Sequence, residues 1–103
     1  MMPPGARSRG VAVLGSTGSI GTTALRVIAR QAGRFHVAAL TAFANSSLLS
    51  GQVAATGPAY VGLVSPNGTM PPASWRIGAS SLVVAATRED VDIVLNAVAG
   101  AAG

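Results

Sequence analysis

The chain has 103 residues, with seven arginines, no lysine, three carboxylates and a formal net charge of +4. Half of the residues are hydrophobic and only 4% are aromatic, so the core must be built from aliphatic side chains. This length allows one core but not two domains, and the absence of cysteine excludes a disulfide framework and thiolate metal sites.

The excess of positive charge comes from missing acids, because the first carboxylate in the chain is Glu89. The arginines are scattered and lack interleaved aromatic residues, which is unlike a nucleic-acid-binding surface. No apolar run approaches the ~20 residues of a membrane span. We therefore expect no nucleic-acid partner and no membrane segment, and the cysteine-free composition fits a cytoplasmic protein.

The chain is predicted to begin with a flexible arm over residues 1–10, followed by the motif that carries the chemistry. Four apolar residues, 11–14, are typical of a parallel strand covered on both faces. Gly15, Gly18 and Gly21 follow, at places where the chain must turn sharply and where a phosphate can approach the backbone. The pattern predicts a strand, a glycine-rich turn and the start of a helix.

That helix is predicted over residues 20–31, with Gly33 as its C-terminal stop. The N–H groups of a first helical turn lack intrahelical partners, and the helix dipole adds partial positive charge there. Thr17 and Ser19 can donate hydroxyls to a pyrophosphate, or they can simply cap the helix. The pattern indicates the phosphate-binding corner of a dinucleotide fold, although the G-x-x-G-x-x-G spacing is uncommon and also suits a tight turn without ligand.

The rest of the chain alternates predicted strands and helices. Asn45 and Ser46 supply cap residues for a helix that ends at Gly57. Residues 65–74 are rich in proline and form a loop. Residues 79–87 favour a helix, although three consecutive apolar residues at 82–84 also permit a strand. Strands are predicted at 35–42, 59–64 and 91–98, with a short one proposed at 75–77, and helices at 47–55 and 79–87.

Strands that alternate with helices imply a parallel sheet with right-handed crossovers. The predicted fold class is α/β, the N-terminal portion of a Rossmann-like doubly wound parallel sheet. In the usual order of such a sheet, strand 91–98 lies beside strand 11–14.

The sequence offers little for proton transfer. Glu89, Asp90 and Asp92 cluster where the last strand begins and suit solvated positions at its start. His36 has no acid close in sequence, and lysine is absent. We therefore assign no catalytic residue and no metal ligand within this chain.

Residues 14–21 (LGSTGSIG) resemble the N-terminal signature of the 1-deoxy-D-xylulose 5-phosphate reductoisomerase family. Three further stretches keep the same order and spacing. Residues 34–37, with residues 39 and 40, resemble the family's second strand. Asn45 falls on the asparagine after it, and residues 92–103 (DIVLNAVAGAAG) resemble the fourth strand and the following loop. The likeness is weakest over residues 65–86.

The resemblance implies an NADPH-dependent enzyme of the non-mevalonate isoprenoid pathway. The family isomerises and reduces 1-deoxy-D-xylulose 5-phosphate to 2-C-methyl-D-erythritol 4-phosphate, as a cytoplasmic or plastid homodimer that needs Mg²⁺ or Mn²⁺. Its phosphosugar substrate is a small molecule. Asn45 would lie by the adenosine ribose and its 2′-phosphate. The positions carried over to the cofactor's pyrophosphate and its turn are Gly15, Thr17, Gly18, Ser19 and Ile20.

The chain departs from the family in two ways, and the first concerns the residues that follow the second predicted strand. Phe43 and Ala44 stand where the family usually has glycine and often a basic residue, so neither offers a cation to a 2′-phosphate. No Asp or Glu follows the second strand to hold a ribose 2′-hydroxyl, so we expect NADPH to be preferred over NADH.

The second departure is length. The family continues beyond its counterpart of residue 103 into its metal-binding carboxylates, substrate-phosphate site and lid. We therefore expect residues 11–103 to be a truncated NADPH-binding domain, without the catalytic and C-terminal domains. The metal then belongs to the full-length enzyme, and the fragment alone is expected to be inactive. The alternatives are another Rossmann NAD(P)-dependent enzyme and a non-catalytic nucleotide-binding module.

Overall fold

The computed structural model describes residues 8–66 and 70–98. Its sheet has five parallel strands in the order β4-β3-β2-β1-β5. The strands are β1 (Arg9–Leu14), β2 (Phe35–Ala42), β3 (Tyr60–Leu63), β4 (Arg76–Ile77) and β5 (Ile93–Asn96). The helices are α1 (Ser19–Arg30), α2 (Ser46–Thr56) and α3 (Ser80–Ala86).

This arrangement confirms the predicted fold class. The short strand proposed at 75–77 is β4, and the last strand lies beside the first as expected. The ambiguous segment at 79–87 is helical. Residues 67–69 of the predicted loop and the end of the chain from residue 99 lie outside the described ranges.

The core lies on both faces of the sheet. On one face, α1 and α2 pack Leu25, Ile28 and Leu49 against buried aliphatic side chains of the strands. On the other face, α3 packs Ala85 against Ala12 and Ala39. Three facing alanines let the helix approach the sheet closely, so the two layers differ in residue size. Helices on both faces make the sheet doubly wound.

The predicted arm over residues 1–10 is wrong at its end, because β1 begins at Arg9. The Gly10 N–H donates to Asp92 Oδ2 at 2.8 Å, and the Gly10 carbonyl accepts from the Asp92 N–H at 2.7 Å. A Cβ at residue 10 would collide with the carbonyl oxygen of Asp90. Gly10 is therefore required by the close approach of the turn before β5, and it lies inside β1. Residues 1–7 lie outside the described part of the chain.

The two helix stops have different outcomes. Gly57 follows α2 with a φ of 62°, and its N–H donates to the Val53 carbonyl, which confirms the predicted stop. Gly33 is not the stop of α1. That helix ends at Arg30, and the N–H of the cap residue Gln31 donates to the Ile28 carbonyl. The chain then turns towards β2 through residues 31–34 without a left-handed residue.

We expect Ser81→Ala to raise the free energy of unfolding by about 1 kcal/mol, because a buried hydroxyl without a partner disfavours the folded state. The Ser81 hydroxyl is buried where α3 packs on Gly62, and within residues 8–66 and 70–98 it has no hydrogen-bond partner. Urea denaturation measures the change. Ser80→Ala, at an exposed position on the same helix, is the control. A loss of stability in Ser81→Ala would contradict this account.

Candidate dinucleotide-binding site

The turn between β1 and α1 begins at Gly15, which has a φ of 81°. This left-handed conformation favours glycine. The N–H groups of Gly15 and Ser16 both donate to the Thr41 carbonyl, at 2.9 and 2.8 Å. A Cβ on Gly15 would lie 2.9 Å from the carbonyl oxygen of Ala97. The start of the turn is thus enclosed between the ends of β2 and β5, and only glycine fits there.

The three glycines of the motif have three different roles. Gly21 lies buried in α1 against the turn, where a Cβ would collide with the Gly15 carbonyl oxygen and lie 2.6 Å from the Ser16 Cα. Gly18 is exposed, and a Cβ there would meet only the Gly15 carbonyl oxygen, at 3.8 Å. Gly15 and Gly21 therefore shape the turn, and Gly18 keeps its outer side open.

The amino end of α1 has free donors that point out of the helix. Gly18 is the cap residue, and the first intrahelical bond runs from the Thr22 N–H to the Gly18 carbonyl at 2.9 Å. The N–H groups of residues 19–21 precede that bond and have no intrahelical acceptor. Among residues 8–66 and 70–98, no side chain caps this helix end, so the alternative in which Thr17 and Ser19 merely cap α1 is wrong.

A cleft of about 390 Å³ opens next to this helix end, over the carboxyl ends of the strands. It lies where the chain, having placed β2 on one side of β1, returns to place β5 on the other. Ligands of open α/β sheets bind at such switch points. One wall is made by Gly15, Thr17, Gly18, Ser19 and Ile20. The rest is made by Thr41, Ala42, Phe43, Val64, Leu82, Ala97 and Val98. Five of the six predicted site residues therefore share one cleft.

Asn45, the sixth predicted residue, lies apart from that lining. Its Oδ1 accepts the Leu48 N–H at 3.1 Å, so it caps α2 as predicted. With Ala44, Ser46 and Ser47 it lines a shallow polar depression of about 330 Å³. Phe43, which is 64% exposed and lines the main cleft, comes two residues earlier. Asn45 thus combines a structural role with a position at the amino end of a second helix.

The electrostatics of the site come from the backbone, because neither lining contains a charged side chain. The perturbed titratable groups lie towards the amino ends of the strands. A hydrogen bond from Arg88, with Nε 2.8 Å from Oδ1, lowers the pKa of Asp90 and raises that of Arg88. Burial raises the pKa of Tyr60, the first residue of β3. An anion in the cleft would interact chiefly with N–H groups and the α1 dipole.

Two further properties of the described residues bear on function. Across 8–66 and 70–98, no three His, Cys, Asp or Glu side chains come together in a way that could hold a metal ion. In the same part of the chain, none of the helices has the length and apolar character needed to cross a bilayer.

Three residues that support the turn were missed by the sequence analysis. Thr41 supplies the carbonyl that accepts from the start of the turn. Ser16 is fully buried, and its hydroxyl donates to Gln52 Oε1 at 2.7 Å. A signal for Gln52 was present, because it follows the buried Leu49 by three residues and so shares the inward face of α2.

A parallel sheet of this order, with a glycine-rich turn at its switch point, belongs to the Rossmann-like class of α/β proteins. The family model of 1-deoxy-D-xylulose 5-phosphate reductoisomerase matches residues 11–103. The chain belongs to this reductoisomerase family.

Curated relatives support the assignment. The reductoisomerase of Geobacter metallireducens is 38% identical over 99 residues, which cover 88% of this chain and 26% of the relative. That of Mycolicibacterium smegmatis is 42% identical over 95 residues, covering 90% of this chain and 24% of the relative. The chain therefore spans about a quarter of the length of the curated relatives it matches.

Solved structures give the same result. A crystal structure of DOX-P reductoisomerase in complex with magnesium matches with a TM-score of 0.80 at 29% identity, covering 93% of this chain and 26% of that one. A second, in complex with NADPH, fosmidomycin and magnesium, matches with a TM-score of 0.76 at 25% identity, covering 91% and 25%.

Proposed function

We propose that this chain is the NADPH-binding part of a 1-deoxy-D-xylulose 5-phosphate reductoisomerase. The whole protein would convert its phosphosugar substrate to 2-C-methyl-D-erythritol 4-phosphate in isoprenoid synthesis. The observation that carries the proposal is the glycine turn, which lines the cleft together with the first residues of α1, whose N–H groups have no intrahelical acceptor. The family assignment selects this reaction among those of Rossmann-like enzymes.

In this proposal the pyrophosphate of NADPH lies at the amino end of α1. The N–H groups of residues 19–21 and the hydroxyls of Thr17 and Ser19 donate to it. Gly18 leaves room for the phosphate oxygens, and Ile20 and Phe43 contribute apolar surface that excludes water. When bound, the cofactor supplies the hydride for reduction of the sugar aldehyde, and the residues of this chain bind and orient it.

The metal ion of the proposed reaction has no site among the residues that the structure describes, because they lack an acidic or histidine cluster. Magnesium is present in the solved relatives, in which about three-quarters of the chain extends beyond the matched part. We infer that the metal and the phosphosugar are held by parts of the protein that correspond to that extension, and that the whole protein acts as a cytoplasmic homodimer.

We expect the chain to bind NADPH about 10-fold more tightly than NADH, a difference of roughly 1.4 kcal/mol. The Asn45 amide nitrogen and the hydroxyls of Ser46 and Ser47 would donate to the 2′-phosphate, and no carboxylate is present there to bind the ribose 2′-hydroxyl of NADH. Fluorescence titration of the chain with each nucleotide gives the two dissociation constants. Tighter binding of NADH would contradict this preference.

Asn45→Asp separates the cofactor role of this residue from its role as a cap. Aspartate keeps the acceptor for the Leu48 N–H, so α2 should stay capped. Its negative charge would repel the 2′-phosphate, so NADPH binding should weaken about 10-fold. NADH binding should not weaken, because the new carboxylate can accept from the ribose 2′-hydroxyl. Ser50→Asp, exposed on the same helix, controls for a general charge effect. Equal losses for both nucleotides would argue against Asn45 as a 2′-phosphate ligand.

The complete reaction can be tested in a chimera. The matching N-terminal quarter of the Mycolicibacterium smegmatis enzyme is replaced by this chain. The chimera is expected to oxidise NADPH only when 1-deoxy-D-xylulose 5-phosphate is present. A folded chimera that binds NADPH without turnover would contradict the proposed reaction and favour a nucleotide-binding module.

A further inference from the structure

We propose that Gln52 is a positioning residue for the cofactor, which acts by holding the glycine turn in the conformation that directs the α1 N–H groups into the cleft. The inference rests on the proposed function of this cleft as a dinucleotide site. Gln52 lies on α2 and is not part of the cleft lining. Any effect on the cofactor must therefore pass through Ser16.

The contact between the two residues is reciprocal. The Ser16 hydroxyl donates to Gln52 Oε1 at 2.7 Å, and Gln52 Nε2 donates to the Ser16 carbonyl oxygen at 2.8 Å. Ser16 is fully buried and Gln52 is 9% exposed. Since both bonds are shielded from water, both are stronger than similar bonds at the surface.

A glutamine is the side chain that suits this contact. One amide presents an acceptor and a donor side by side, which matches the hydroxyl and the carbonyl of one serine. Packing of α2 does not require it, because an aliphatic side chain would fill the same space without the cost of burying an amide. The residue type thus indicates that the contact serves the turn.

The contact completes the fixation of Ser16. Its N–H already donates to the Thr41 carbonyl at 2.8 Å, so its N–H, carbonyl and hydroxyl are all engaged. Ser16 also packs against the first turn of α1, where a Cβ on Gly21 would lie 2.6 Å from the Ser16 Cα. A shift of Ser16 would therefore move both the turn and the first residues of α1.

The test uses Gln52→Met, which keeps the length of the side chain and removes both bonds, and Gln52→Glu, which can restore them. Binding of NADP⁺, which tolerates acid, is measured by calorimetry at pH 8 and pH 5.5. Gln31→Met, at an exposed glutamine, is the control. We expect Gln52→Met to raise the dissociation constant about 10-fold at both pH values relative to the unsubstituted chain, and Gln31→Met to leave it unchanged.

Gln52→Glu gives a signature that a purely structural role would not produce. An ionised carboxylate accepts from the Ser16 hydroxyl but repels the Ser16 carbonyl oxygen, so binding should be weak at pH 8. Burial raises the pKa of a carboxyl group. The protonated acid at pH 5.5 again offers a donor and an acceptor, so affinity should recover to within about twofold of the unsubstituted chain at that pH.

The outcomes separate the two proposals. If the unsubstituted chain binds NADP⁺ and Gln52→Met binds it equally well, the role of Gln52 is overturned. If the unsubstituted chain does not bind NADP⁺, the proposed function fails. Hydrogen exchange of the Gly15 and Ser16 amides then decides the positioning role. Gln52→Met should speed this exchange at least 10-fold, and an unchanged exchange rate would overturn the role.

A second variant covers the case in which Gln52→Met does not fold. Ser16→Ala is then measured in its place and should weaken binding severalfold, and an unchanged affinity would overturn the role.

Discussion

Gly21→Ala is expected to destabilise the protein by about 3 kcal/mol, at the upper end of the usual range for inserting a methyl group into a packed site. The added Cβ would collide with the Gly15 carbonyl oxygen and press on the Cα of Ser16. These are backbone atoms held by hydrogen bonds to β2 and α2, so they cannot move aside as a flexible side chain would. Binding of NADPH should be lost in parallel, because α1 must move away from the turn.

Gly51→Ala is the matched control for this prediction. It makes the same change inside α2, where nothing lies within 4 Å of the new Cβ. Alanine favours a helix over glycine, so this variant should be more stable by roughly 0.5–1 kcal/mol. Urea denaturation of both variants gives the comparison. If Gly21→Ala were as stable as Gly51→Ala, or more stable, α1 would not depend on close contact with the turn.

Leu40→Ala is expected to lower the free energy of unfolding by about 2–5 kcal/mol. Leu40 lies in β2, the central strand of the sheet, is fully buried, and belongs to the larger core cluster. Truncation removes buried methyl groups and leaves a cavity that a rigid sheet cannot fill. A small domain has only about 5–15 kcal/mol of stability in total, so the variant should be close to unfolded.

Leu48→Ala provides the comparison at the surface. Leu48 is 41% exposed on α2, so the same truncation should cost less than about 1 kcal/mol. Both variants are measured by denaturant unfolding and by near-UV circular dichroism. Equal losses of stability in the two variants would contradict the division between the core face and the surface described for the sheet and α2.

The family, the fold class and the order of the elements could be predicted, because the signals are local. The apolar residues 11–14 and the glycines at 15, 18 and 21 identify a strand, a turn and a helix within a single short segment. That segment supplies five of the predicted site residues, and the structure brings these five into one cleft. Their contacts with the cofactor remain a prediction.

The features that sequence reasoning missed depend on contacts between distant segments. Gly10 was predicted to end a flexible arm, but it lies in β1, where its N–H donates to Asp92 and where the turn before β5 comes too close for a side chain. Gly33 matched a helix stop by its position, yet α1 ends earlier through backbone bonds at Gln31. Gln52 meets Ser16 across 36 positions of sequence, and no local pattern predicts which residue fills that place.

The most direct test of the central claim is a titration of the ¹⁵N-labelled chain with NADPH, followed by amide chemical shifts. Binding of the pyrophosphate at the amino end of α1 predicts saturable shifts concentrated at residues 15–21, with a second group at residues 45–47 that is absent when NADH is used. Shifts elsewhere on the sheet, or none at millimolar NADPH, would contradict the assignment of this cleft as the cofactor site.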